Sequence, residues 1–382
     1  MRISVRLPKV EPSVYSYPDE CPYGGCEGQH FRPYGLQGEE KAIRDPSYEQ
    51  VESFRHECLR CGRTFRVYPQ GVSRAEQSDR LKASSVLLYV LGLSYGAVAD
   101  FLEAFGTAIG KTTVYNNVQE AGIASRSRQE ASVTSGGKRP VIGADGTYVK
   151  VKGEKVGIQV VVDDQSGDLL GLEIIASESS EEVRRVVEQV AKKVGADVLV
   201  SDDLDAYKSV ADTVGLDHQI CRSHVKRNVD ALAESLVEQL KREEPLPKGV
   251  KSSPECLAQD VEAIQKLVRK RPASALEDLE AMYYRYMAAP MPKKGERHTV
   301  WYRMRMLVTR LWERWHRLTL DQHRGDLDGT NNSSERLIGW WIKERYRTMR
   351  GYKRTESIQN VATLTARMGV RSGHYDMTEL YA

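Results

Sequence analysis

Long apolar runs are what this 382-residue chain most plainly lacks. No stretch approaches the ~20 consecutive apolar residues that a membrane-spanning helix needs. The opening residues, Met1-Arg2-Ile3-Ser4-Val5-Arg6, also lack the apolar core of a secretory signal. These absences predict a cytoplasmic protein with no membrane partner. A large net charge is missing too: +3 at pH 7 is too little to argue for a polyanionic partner by itself. Cysteine is scarce, with six residues in all. In a reducing compartment disulfides are rare, and clustered cysteines more often bind metal.

What is present is soluble and globular, with 29% charged and 40% hydrophobic residues, and long enough for roughly two to four domains. Positive charge is concentrated rather than large. Lys293 to Arg317 holds eight Lys/Arg against two Glu, and Glu335 to Arg354 holds seven against two. Both clusters are interleaved with aromatics, Trp301, Tyr302, Trp312 and Trp315 in one, Trp340, Trp341 and Tyr346 in the other. That mixture suits phosphate contact with base or sugar stacking. Two solvated helix faces would read the same way.

Four cysteines form two knuckles, Cys21-Pro-Tyr-Gly-Gly-Cys26 and Cys58-Leu-Arg-Cys61-Gly-Arg-Thr-Phe. Four thiolates close a tetrahedral structural zinc site. The turn glycine and following strand of the second knuckle predict a zinc ribbon over 1–72, with His30 and His56 as substitute ligands and Arg60, Arg63 and Arg66 as a basic face. Beyond it, helical spacing over 75–91, an N-cap at Ser94, a glycine-containing turn at 106–110 and a helix from Lys111 predict a helix-turn-helix over 73–125. Lys111, Thr112, Thr113, Asn116 and Asn117 on its second helix are candidate DNA contacts. An ordinary three-helix packing unit has the same pattern. The polar stretch 126–139 reads as a linker.

From Pro140 the period becomes strand-like. Val141 to Val151, Val156 to Val162 and Leu169 to Ala176 read as three strands, Ser180 to Val194 as a helix, and Ala196 to Ser201 as a further strand ending in Asp202 and Asp203. Three antiparallel strands, a helix and a parallel strand is a ribonuclease H-like order, within a multidomain α/β chain. Asp145 on the first strand and Asp202 at the end of the fourth should then lie side by side. A third acid follows in Asp328-Gly-Thr-Asn-Asn-Ser-Ser-Glu335-Arg, ahead of an aromatic, basic helix. Carboxylates converging this way suit hard divalent ions, which take oxygen ligands.

Gly143-Ala-Asp145-Gly-Thr, Val200-Ser-Asp202-Asp-Leu-Asp-Ala-Tyr207, His218-Gln-Ile-Cys221-Arg-Ser-His224-Val-Lys-Arg-Asn228 and Gly329-Thr-Asn-Asn-Ser-Ser-Glu335-Arg stand in one order along the chain. In these blocks the chain resembles an insertion-sequence transposase of the DDE class, with the Cys-x-x-His followed by Arg-Asn similar to Mutator-type bacterial enzymes. The resemblance implies Asp145, Asp202 and Glu335 as catalytic residues and ligands of two Mg²⁺ (or Mn²⁺). Asp203 stands where the class often has glycine and competes with Asp202; Asp328 competes with Glu335, and Glu181 or Glu182 could add a ligand. Cys221 and His224 are implied near the active site, although a buried thiol and a core histidine fit as well, and a metal there would need further ligands.

The resemblance further implies double-stranded DNA as partner, both transposon ends and target, a nucleoid-associated location, and a homodimer or larger assembly, since two ends must be paired. Lys226, Arg227, Arg345, Arg347 and Arg350 are candidate phosphate contacts. Helical spacing between 231 and 317 predicts an all-helical insertion over 233–325, dividing the catalytic core into 140–232 and 326–382, and the last helix, from Ser357, should pack on the sheet. The expected activity is recognition of terminal inverted repeats, then metal-dependent strand cleavage and strand transfer. The rival readings are a transposase-derived DNA-binding regulator, a structure-specific nuclease on the same fold, and an RNA-binding zinc-ribbon protein.

Overall fold

The structure, a computed structural model, describes residues 4–35, 38–242, 244–349, 351–370 and 374–381. The chain forms two units, Met1–Ser132 with Tyr148–Val156 and Arg336–Ala382, and Val133–Thr147 with Gly157–Glu335. Among the described residues no helix is long and apolar enough to cross a membrane.

The first segment is a small β-module: β1 (Ser4–Arg6), β2 (Glu11–Tyr15), β3 (Phe31–Pro33), β4 (Glu39–Ala42), β5 (Gln50–Cys58), β6 (Thr64–Val67) and β7 (Pro69–Gln70). Strand β5 is its spine, pairing antiparallel with β3, β4 and β6. Among the described residues its apolar core gathers Val10, Ile43, Val51 and Val72, with Tyr68 against them. A core this small rarely supports a fold without a staple such as a metal.

Helices α1 (Asp79–Val90), α2 (Tyr95–Ala104) and α3 (Lys111–Ser135) follow. Ser78 and Ser94 cap the first two, their hydroxyls accepting from the N–H groups of Leu81 and Ala97. Helix α3 continues to Ser135 and so takes in most of the stretch expected as linker. Ala124, Arg126, Arg128, Gln129 and Ala131 are good helix formers, and no glycine or proline interrupts them before Gly136.

The central sheet is built from β8 (Val141–Val151), β9 (Glu154–Asp163) and β10 (Leu169–Ile175), then, after α4 (Ser180–Val194), β11 (Val198–Ser201), α5 (Asp205–Val214) and β12 (Asp217–Ile220). Its order is β10-β9-β8-β11-β12. Strands β8 and β9 are joined by Lys152-Gly153, both at positive φ as a two-residue hairpin requires. Strand β10 runs antiparallel to β9, and β8, β11 and β12 run parallel to one another. The first four strands stand in the order expected from the sequence, and β12 adds a fifth. Strand β11 is buried throughout, as a central parallel strand with both faces covered must be. Val183, Val187 and Val190 of α4 and Val210 of α5 pack on Ile142, Ala144, Val161 and Leu199 of the sheet. Ser179 caps α4 at one end, and Gly195 at φ 66° ends it in the left-handed conformation.

Helices α6 (Arg222–Leu240), α7 (Pro254–Lys270), α8 (Ala275–Tyr286) and α9 (Val300–Leu318) come next. They share one core that includes Leu236, Leu257, Ile264, Leu279 and Val308. Trp301 and Trp315 belong to that core, so of the tryptophans on α9 only Trp312 faces solvent. Pro254 opens α7, where its missing N–H costs nothing.

A single 3₁₀ turn (Leu320–Gln322) leads to α10 (Asn332–Arg336), a π-helical stretch (Leu337–Lys343), α11 (Glu344–Met349), α12 (Glu356–Val370), β13 (His374–Asp376) and a last 3₁₀ turn (Thr378–Leu380). Helix α12 lies against α3: a Cβ on Gly122 would come within 2.6 Å of Asn360, and Arg367 donates to the Ser125 carbonyl. It was expected on the sheet. Strand β13 pairs in parallel with β1.

Candidate active site

Parallel pairing of β8 with β11 aligns Gly143 with Val200. Two residues on in the same register, Asp145 stands opposite Asp202, just past the end of β11. Burial, and next the nearby Asp202 carboxylate, push the Asp145 carboxyl up to about 7, against the Gly146 N–H, which donates to Oδ1 at 2.8 Å, and His224; Glu335 adds to the repulsion. Asp202 is raised by burial as well, opposed by the Leu204 N–H, which donates to Oδ1 at 3.1 Å, and by His224. Burial and neighbouring negative charge both favour the protonated form of a carboxyl.

Glu335 is brought to this place by the residues before it. Asn331 is fully buried; its Nδ2 donates to the Ala144 carbonyl at 3.0 Å, and its backbone N–H to the Cys221 sulfur at 3.4 Å. The Ser333 hydroxyl donates to the Asp164 carbonyl at 2.8 Å, and the Arg222 N–H to the Gly329 carbonyl at 2.9 Å. Gly143 makes room: a Cβ there would sit 3.0 Å from Asn331 Oδ1 and 3.1 Å from Val162. The Thr-Asn-Asn-Ser-Ser block is therefore a clamp that holds the start of α10 on β8, beside Asp145. Asp328 caps the turn, its Oδ1 accepting from the N–H and hydroxyl of Thr330, both at 2.7 Å.

Glu335 Oε1 lies 3.2 Å from His224 Nδ1 and 3.9 Å from Arg227 Nη2. Neither approach is aligned as a hydrogen bond, and both Glu335 Oε1 and His224 Nδ1 are buried without a partner. Cys221 follows β12 as the N-cap residue of α6, one turn before His224. Burial pushes its thiol up, but His224 and the N–H groups of His224 and Asn331 outweigh that and lower it. His224 is raised, by Cys221 first and by Glu335, against burial. Donor atoms of Cys221, His224 and Glu335 lie within 4.8 Å of one another. Glu335 thus supplies the third group that the Cys-x-x-His pair lacked in the sequence.

Three of the alternative acids lie away from Asp145 and Asp202 or pair elsewhere. Asp203 turns from the site to α9, where its carboxylate pairs with Arg310 at 2.9 Å and with Arg314, which also binds Asp205. Of the acids around α4, Glu178 rather than Glu181 or Glu182 lies near the two aspartates. Glu181 is exposed and Glu182 pairs with Arg185, whereas Glu178 is raised by burial and by Asp202. A Cβ on Gly146 would come within 2.5 Å of the Glu178 carboxylate, which therefore lies against the residue after Asp145. Glu178 sits in a loop without periodicity; its one signal is its place between the third strand and the α4 cap.

The donor sets fit metals of two kinds. Asp145, with Asp202 and Glu335 near enough to raise its carboxyl and Glu178 against Gly146, offers oxygen ligands of the kind that hard divalent cations take. Cys21, Cys26, Cys58 and Cys61 offer four sulfurs within 4.8 Å of one another, with Cys21–Cys61 and Cys26–Cys58 both at 3.8 Å. A tetrahedron with Zn–S bonds of ~2.3 Å has sulfur–sulfur edges of about 3.8 Å. N–H groups of Cys61 and Arg60 bring the Cys58 thiol down to about 7 against burial. His30 and His56 are not in the cluster.

Of the candidate DNA contacts, Lys111, Thr112, Asn116, Lys226, Arg227 and Arg347 are exposed and Thr113 is half-buried. Asn117 points inward, 4% exposed, its amide donating to Gln77 and Ser85. Val114, Val118 and Ala121 mark the buried stripe, and Asn117 falls within it by helical spacing. Arg345 is buried and donates to the Gly92 and Leu93 carbonyls. Arg350 lies outside the described residues.

Compared with known proteins, residues 78–348 match the family model described as the transposase IS66 family. No curated protein matches the chain. Among solved structures, the catalytic core domain of BIV integrase in crystal form I is similar at 16% identity and a TM-score of 0.18, with 53% of this chain and 97% of that chain covered.

Proposed function

The chain belongs to the transposase IS66 family, and on that premise we propose that it is a DNA transposase of the DDE type, with Asp145, Asp202 and Glu335 as its catalytic acids. The observation that supports this reading is the proximity of three half-buried acids: Asp145 is repelled by Asp202 and Glu335, and Glu335 Oε1 has no hydrogen-bond partner.

Asp145, Asp202 and Glu335 would hold two Mg²⁺ (or Mn²⁺), with Glu178 close enough to assist. Such ions, when bound, make water or a hydroxyl nucleophilic and neutralise the leaving oxygen of a phosphodiester. The protein's part is positioning. Adjacent parallel strands fix the two aspartates, and the Asn331 clamp fixes the helix that carries Glu335. His224, whose affinity for a proton is raised by Cys221 and Glu335, lowers the Asp145 and Asp202 carboxyls. Lys226 and Arg227, exposed on the first turns of α6, would take strand phosphates. Water attacks one strand at the transposon boundary and releases a 3′-hydroxyl; that hydroxyl then attacks a target phosphodiester in line and displaces a second 3′-hydroxyl. Each step exchanges one P–O bond for another, so no covalent protein intermediate is required.

The four-cysteine module, read as a zinc ribbon, and α1 to α3, read as a helix-turn-helix, would recognise the terminal inverted repeats. Lys111, Thr112, Thr113 and Asn116 are the proposed contacts. A homodimer or larger assembly would pair the two ends. The test is Glu335→Gln: it should bind a terminal-repeat duplex as the unaltered protein does and fail to cut it. Robust metal-dependent nicking by that variant would overturn the assignment.

A further inference from the structure

Within the first unit lies a cavity of about 500 Å³ lined by Lys111, Arg345, Lys353 and Arg354 together with Tyr95 and Tyr115, and by no carboxylate. Its size is that of a small-molecule site. Its wall alternates cations and rings. Arg345 packs on the Tyr89 ring at 3.8 Å, and Tyr89 stacks on Tyr95 with centroids 4.5 Å apart and planes within 6°. Tyr95 meets the edge of Tyr115 at 5.5 Å, and Arg354 lies over Tyr115 at 6.0 Å.

The charge in this cavity has no internal counterpart. Arg345 is 5% exposed; its terminal nitrogens go to carbonyls and a hydroxyl, and its Nε has no partner. Among the described residues, none of the four cations forms an ion pair with a carboxylate. A buried guanidinium with no anion is costly unless a ligand supplies one. Lys111 and Thr112 also open the 25-residue α3, whose first N–H groups lack helical acceptors and favour an anion.

We propose that this cavity takes a single nucleotide of a DNA strand, its phosphate against Lys111, Lys353 and Arg354 and its base among the tyrosines. A phosphate answers the uncompensated charge, and the rings suit a base pulled from its stack. The choice of DNA as the source rests on the transposase reading; the phosphate-plus-base chemistry does not.

The test titrates the full-length protein with a deoxynucleoside 5′-monophosphate, a deoxynucleoside, inorganic phosphate and a short single-stranded oligodeoxynucleotide, followed by calorimetry and ligand-observed NMR. The monophosphate should bind at least about 10-fold tighter than the nucleoside or phosphate, and the oligonucleotide should displace it. The double variant Lys353→Glu/Arg354→Glu alters two exposed residues, so it should keep the melting temperature and lose at least about 10-fold in affinity for both. Phosphate binding as tightly as the monophosphate, or affinities unchanged in the double variant, would overturn the proposal. A monophosphate that the oligonucleotide cannot displace would overturn the strand as source. Asp145→Asn protein should bind all four probes unchanged, so failure of the catalytic reading would register in cleavage and not here.

Discussion

Arg317 donates from Nη1 to Nδ1 of His218 at 3.1 Å, and so decides which nitrogen of that ring carries the proton. Arginine is always a donor, so Nδ1 must accept and Nε2 must hold the hydrogen. Nε2 lies 2.8 Å from the Ser201 hydroxyl, which in turn donates to the Asp202 carbonyl at 2.9 Å. A neutral histidine thus braces the strand end from which Asp202 projects.

Stability should therefore depend on pH through His218. Burial, and then the Arg317 charge, push its ring from 6.5 down to about 3. A folded value below the unfolded one means that the unfolded chain binds the extra proton. The stabilisation is fully present above pH 6.5 and is lost as pH falls toward 3. Urea titrations between pH 7 and 5, above most carboxylate titration, should show the unaltered protein losing stability more steeply than His218→Asn. Parallel curves would exclude His218 as the cause.

Asp202 and Asp203 should part company on substitution. Asp202→Asn is expected to lower cleavage by several orders of magnitude with little change in stability. Asp203→Asn weakens the link to Arg310 and Arg314 on α9, and should cost about 1–3 kcal/mol in denaturant titration while most cleavage survives. The reverse pattern would move the ligand to Asp203.

The clamp on Glu335 can be tested without touching an acid. Gly143→Ala puts a methyl group 3.0 Å from Asn331 Oδ1, and Asn331→Ala removes the link to the Ala144 carbonyl. Displacing a reacting group by about 1 Å can cost roughly 100-fold. Both variants should lose cleavage on that scale while keeping affinity for the terminal repeat. Full activity in both would show that Glu335 finds its place without the clamp.

The β-module should hold one zinc ion per chain by metal analysis. Cys58→Ser or a strong chelator should release it and expose residues 4–72 to protease, because Val10, Ile43, Val51 and Val72 make too small a core alone. Resistance to protease in metal-free protein would contradict a structural zinc.

How far the sequence led follows from how local each signal is. The strands around Asp145 and Asp202 are buried on both faces, so their apolar runs announce them. Glu335 was legible through the block that clamps it, although the clamping role of Asn331 was not, since its partners Ala144 and Cys221 are remote in the chain. Asp203 stayed a competitor of Asp202 because its partner Arg314 lies on a helix formed much later. Glu178 belongs to a loop, where no period marks an inward side chain. Asn117 could have been placed inside by its spacing from Val114 and Ala121, but the polar residues around it argued for an outward face.

The most direct test of the account is cleavage of a labelled duplex carrying the element's own terminal repeat and flanking DNA, incubated with Mg²⁺, Mn²⁺ or EDTA. The account predicts scission at the repeat boundary with either metal, none in EDTA, and joining of the released 3′-end to a plasmid. Tight binding of the repeat with no scission under any metal would contradict it, and would leave a DNA-binding regulator or an inactive copy in its place.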